Sequence, residues 1–83
     1  MKMKEKQIGK ITHYYDKIKV GVIKLTGSLK VGDKIHIKGA HDDFVQTISS
    51  MQFDHKEIKM GKKGQEIAVG VDQVVHKNDN VIK

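Results

Sequence analysis

The side chains best suited to metal or proton chemistry are five histidines, His13, His36, His41, His55 and His76. None stands in the H-x-H or H-x-x-x-H spacing that turns two imidazoles to one side of a strand or helix. His41-Asp42-Asp43 places nitrogen and oxygen donors side by side, but neighbouring side chains on a turn diverge. A hydrated turn is expected there, and no metal site. Ser49-Ser50, a histidine and an aspartate are the ingredients of a nucleophilic triad. No nucleophile elbow or glycine-rich oxyanion loop accompanies them, so no catalytic residue is assigned and no enzyme is expected. The chain has no cysteine and hence no thiolate chemistry. Gly32 lies in Val31-Gly32-Asp33-Lys34, which is not the G-x-x-x-x-G-K-[ST] cradle of a nucleotide phosphate. Neither nucleotide nor cofactor is expected.

The charge is unevenly spread. The net charge is +6, every basic residue is lysine, and residues 1–40 hold ten lysines against three acids. Residues 41–83 hold six lysines against seven acids. Lysine neutralises phosphate as a point charge but lacks the planar fork that reads guanine edges. Lys10, Lys24, Lys34 and Lys38 are expected on outward faces of neighbouring strands, as a stripe for a phosphate backbone or as a solvated face. A second candidate surface is the stretch around Phe44, Gln46, Gln52 and His55. Amide and imidazole groups beside an aromatic can bond and stack on a base or contact a partner; otherwise Phe44 packs inward and the polar groups meet water.

Strands separated by turns must carry these groups. The 83 residues have room for one domain, with 1–6 as a flexible basic arm. Gln7 to Tyr15 reads as a strand. Ile18 to Leu25 reads as a second, with Ile18, Val20 and Val22 on one face and a bulge near Ile23 or Lys24. Lys34 to Gly39 forms another, launched from a turn in which Gly32 takes a positive φ and Asp33 folds back on the backbone. Phe44 to Phe53 is β-prone, with a bulge near Ser49-Ser50 that turns Ile48 and Met51 inward. Asp54 to Met60 is a short connection whose Ile58 plugs the core. Gly64 sits in a turn before a strand with Ile67, Val69 and Val71 inward. Asn78-Asp79 repeats the Gly32-Asp33 arrangement before Val81, since Asn tolerates the left-handed region. A sheet of such short strands leaves costly edges unless it closes, so an all-β, closed six-stranded barrel of Greek-key type is expected.

The run Leu29-Lys30-Val31-Gly32-Asp33-Lys34-Ile35-His36-Ile37, followed in order by Ser50-Met51, Gly64-Gln65-Glu66-Ile67 and Asp79-Asn80-Val81, resembles the second domain of elongation factor Tu and related translation GTPases. Asp43-Phe44-Val45-Gln46 and Ser50-Met51-Gln52-Phe53-Asp54-His55 are similar to stand-alone elongation-factor-like proteins and to the small C-terminal barrel of collagenase-like peptidases. The first resemblance implies a non-enzymatic translation-type barrel that binds RNA or a ribonucleoprotein through phosphate and shape contacts. The second implies a protein-interaction barrel serving a partner enzyme, in which Phe44, Met51 and Phe53 matter if exposed. With no apolar run near the roughly 20 residues that span a bilayer, no membrane partner is expected and a cytoplasmic location is the default.

Overall fold

The protein's structure, a computed structural model, describes residues 6–83, so the first five residues of the expected basic arm lie outside the described residues. Lys6 is tied down by backbone bonds in both directions with Lys83, at 3.1 and 2.9 Å.

Ten strands and no helix make up the described chain: β1 (Gln7–Tyr15), β2 (Val20–Leu25), β3 (Leu29–Lys30), β4 (Lys34–Lys38), β5 (Asp43–Thr47), β6 (Met51–Phe53), β7 (Lys56–Ile58), β8 (Met60–Gly61), β9 (Glu66–Gly70) and β10 (Asn80–Ile82). Eight of them form one curled antiparallel sheet in the order β5-β4-β10-β1-β2-β9-β6-β7, while β3 pairs with β8 separately. The closed six-stranded barrel is therefore corrected to a curled half-barrel. No ladder joins β5 to β7 among the described residues. The reason lies in the path of the chain after Thr47. It leaves β5, buries Ile48, and begins β6 beside β9 rather than continuing one long strand.

Side chains replace the missing ladder. Gln46 is buried in the opening between β5 and the end of β9. Its Nε2 donates to the Gly70 carbonyl and its Oε1 accepts from the Asp72 N–H, each at 2.9 Å. Ile48 is fastened to the Gly32–Asp33 turn by two backbone bonds of 2.8 Å, one from Gly32 N and one to Asp33 O. An unpaired buried amide would cost more than the bond returns, which is why a glutamine can sit there only fully paired.

The core is aliphatic: Ile8, Ile11, Ile23, Leu25, Leu29, Ile35, Ile37, Ile48, Met51, Ile67, Val69, Val75 and Val81 are almost completely buried, with Tyr14, Phe44 and Ile58 packed at its margin. Each such burial contributes about 1.5–3 kcal/mol. In β2 the inward face is Gly21, Ile23 and Leu25; Val20 and Val22 share the opposite face, while Ile18 precedes the strand instead of continuing that face within it. Gly21 holds an inward position with no side chain because Val75, Val71 and Ile11 already fill the space. The register shift lies in β1, between Ile11 and His13, not in β2. Asp54 to Met60 is more than a connection: β6 and β7 form a hairpin whose two-residue turn, Asp54 and His55, has φ of +55 and +64. That is the twist-matched turn a tight hairpin favours.

Three turns share one construction. In Lys30–Asp33, Lys62–Gln65 and His76–Asp79 the fourth residue's N–H donates to the first residue's carbonyl, at 3.0, 3.1 and 3.1 Å. Its side-chain oxygen accepts from the first residue's N–H, at 3.0, 2.8 and 2.9 Å. The third residue carries the positive φ: Gly32 at +97, Gly64 at +92 and Asn78 at +77. A positive φ at that position alone defines type II geometry.

Candidate functional site

Strand pairing decides which of the lysines meet. Lys24 lies opposite Lys10, Lys10 opposite Asn80, and Asn80 opposite Lys38, so three of the four lysines cross β2, β1, β10 and β4 in one exposed row. Glu66 and Asp43 close the row at its two ends. Lys34 stands apart at the other end of β4, opposite Thr47.

The Phe44, Gln46, Gln52 and His55 group separates. Gln46 is the buried strut described above, Phe44 is half-buried against the core, and Met51 is fully buried. These three cannot form an exposed contact surface as they stand. Gln52, His55 and the 37% exposed Phe53 remain outside. Gln52 and His55 border an open groove of about 570 Å³ together with Tyr15, Ile18, Val20 and Gly70. The tip of the β1–β2 hairpin carries Tyr15 and Ile18 into water at 52% and 67% exposure, and the His13 ring stacks on Tyr15 at 6.2 Å. Ala68 and Gly70 are too small to fill the floor. Val20, Val22 and Lys24 alternate along β2 with the inward residues, so the groove and the lysine row share the outer face of the sheet. The sequence reading missed Tyr15 and Ile18 as surface candidates; an isoleucine beside a turn rather than inside a strand was the available signal.

The histidines separate as well, with one exception. His36 contacts Asp43 within the β4–β5 hairpin, and this hydrogen bond holds the Asp43 carboxyl below its ordinary range. The exception joins two loops. Pairing of β10 with β4 sets the 39–42 loop beside the 76–79 turn. There His76 Nδ1 lies 2.7 Å from Asp42 Oδ2, ligand atoms of Asp42, His76 and Asp79 fall within 4.8 Å of one another, and the His41 and His76 ring centroids are 5.7 Å apart. Asp79 is buried and Asp42 nearly so, while His76 is about half exposed. Burial and the bond to Asp42 push the Asp79 carboxyl up. Burial also works to raise Asp42, but its bonds to Asp79 and His76 outweigh that and hold it down. The bond to Asp42 raises His76. Asp42 thus groups with His76 and Asp79, not with its sequence neighbours His41 and Asp43 alone.

No family model matches the chain. It is 35% identical, over 81 residues and 96% of its length, to an uncharacterized protease of Methanocaldococcus jannaschii, of which it spans 20%. The chain therefore covers about one-fifth of that relative. Its fold superposes with a TM-score of 0.90 on the selenomethionine variant of the C-terminal domain of a candidate U32 peptidase from Geobacillus thermoleovorans, at 15% identity, covering 94% of this chain and 99% of that one. A second crystal structure of the same domain gives 0.86 at 14% identity, covering 90% and 88%. The fold is thus that of the C-terminal barrel of a collagenase-like peptidase and not specifically that of elongation factor Tu. The expectation of a role in translation or RNA binding is corrected accordingly, since these relatives are peptidases and peptidase domains.

Proposed function

We propose that this chain is a non-catalytic accessory barrel that docks on a collagenase-like peptidase or a protein built like one. The observation that carries the reading is its match to one-fifth of a protease, at 35% identity and over nearly its whole length. In that relative the matching segment is joined to four times its own length of other protein. The groove at Tyr15 and Ile18 has the features of a contact site: large exposed apolar groups over a shallow floor, rimmed by Gln52 and His55. The lysine row on the same outer face would steer an acidic partner surface toward it. Catalysis is not part of the reading: Ser49-Ser50 come with no nucleophile elbow or glycine-rich oxyanion loop in the sequence, and the matching segment is one-fifth of the protease.

The test mixes the purified chain with the peptidase-like protein of the same organism and follows both by size-exclusion chromatography with light scattering. A complex of defined mass is expected, together with no cleavage of casein or gelatin by the chain alone. Separate elution, or proteolysis by the isolated chain, would overturn the reading.

A further inference from the structure

We propose that Asp42, His76, Asp79 and His41 form a binding site for a divalent transition-metal cation of the zinc class, an inference independent of the docking role. Three ligand atoms, one each from Asp42, His76 and Asp79, already lie within 4.8 Å of one another. Zinc takes nitrogen and carboxylate oxygen at about 2.0–2.2 Å in a tetrahedron, which sets its ligand atoms about 3.3 Å apart. The 2.7 Å separation of His76 Nδ1 from Asp42 Oδ2 needs to open by only a fraction of an ångström. His41 supplies the fourth donor. Its exposed ring sits 5.7 Å from that of His76, near enough to swing in by side-chain rotation.

One feature favours a cation over a merely hydrogen-bonded cluster: the donors are fixed in place and partly open to water. Asp79 is fixed by the His76 N–H at 2.9 Å, and Asp42 is held in its loop by a 2.7 Å bond from Gly39 N to its carbonyl. Gly39 has no side chain over Asp79, whose Oδ1 occupies the place a Cβ would take. A depression of about 540 Å³, bordered by Lys38, Gly39, His41, His76, Lys77 and Asp79, opens His41, His76 and Asp79 to water, while Asp42 lies behind them. Two imidazoles with two carboxylates suit zinc and its neighbours better than magnesium or calcium, which prefer all-oxygen shells.

The test titrates zinc chloride into the full chain by calorimetry, with magnesium and calcium chloride as controls. Amide NMR locates the response. One zinc per chain is expected, with shifts centred on residues 39–42 and 76–80 and no saturable magnesium or calcium binding. His76→Ala should weaken zinc at least about tenfold, the loss that changes behind the ligands alone can cause. His41→Ala should weaken it by a smaller factor. Both changes are at exposed side chains, and circular dichroism of the metal-free variants confirms that they fold. Absence of saturable zinc binding, shifts centred on His13, His36 or His55, or unchanged affinity in His76→Ala would each overturn the proposal.

Discussion

Gln46 and Gly70 join the two limbs of the curled sheet where no strand ladder does: the Gln46 Nε2 donates to the Gly70 carbonyl at 2.9 Å, 24 positions along the chain. With its Oε1 accepting from Asp72 N, this one side chain imitates the donor–acceptor pair of a neighbouring strand. The half-barrel is kept curled by that imitation, and the groove floor at Gly70 is held in place with it.

Replacing Gln46 with alanine should orphan Gly70 O and Asp72 N together. An unpaired buried group costs roughly 1–3 kcal/mol, but both partners are only part-buried and water offsets some of it, so a loss of about 1–2 kcal/mol in urea unfolding is expected. Gln46→Glu should also destabilise, because a carboxylate can no longer donate to Gly70. A change below about 0.5 kcal/mol in both, the range of ordinary surface substitutions, would show that the strut does not carry the seam.

Gly39 and Gly32 should respond differently to alanine. At Gly39 the new Cβ would overlap Asp79 Oδ1 and force the 76–79 turn away from β4, a strain of about 1–3 kcal/mol. At Gly32 nothing lies near the new Cβ, and the cost is only that of a positive φ, about 1 kcal/mol. Thermal unfolding of the two variants gives the ranking; a more stable Gly39→Ala protein would contradict the packing described.

Acid should act through Asp33. Burial works to raise its carboxyl, but the Lys83 ammonium at 2.8 Å and the Lys30 N–H outweigh it, so its folded pKa lies below the ordinary 3.8. A depressed carboxyl contributes stability that is present above its unfolded pKa and lost as pH falls through the folded one. Stability should therefore decline as pH drops below about 4. Asp33→Asn should make that decline shallower, leaving the part owed to Asp42 and Asp43, and Lys83→Ala should reduce it. Urea midpoints measured between neutral and acid pH show the slope; an Asn variant with the wild-type acid limb would rule out this contribution.

Much of the fold is legible in local sequence, and the limits have physical causes. The bounds of β1 coincide with Gln7 to Tyr15 because Ile8, Ile11, Thr12, Tyr14 and Tyr15 enrich it in β-branched and aromatic residues. The Gly32 and Asn78 turns share a signature a short window can see, a residue tolerant of the left-handed region before a carboxylate. The matching turn at Lys62–Gln65 is less visible, since glutamine does there what aspartate does in the others. The face of β2 is illegible because Gly21 occupies an inward place without any hydrophobic signal. Closure is overread because Gln46 looks like a surface amide until its partners at Gly70 and Asp72 are known. The Asp42–His76 contact spans 34 positions and exists only through the β10–β4 pairing, so no spacing rule could reveal it.

The most direct test of the docking account is calorimetric titration of the chain into the peptidase-like protein, beside an Ile18→Asp variant. Ile18 is 67% exposed, so the substitution should leave unfolding unchanged. Saturable binding by the wild-type chain is expected, weakened in the variant by about 2 kcal/mol or more, the loss of an apolar anchor at an interface. No binding by the wild type, or equal binding by both, would contradict the account.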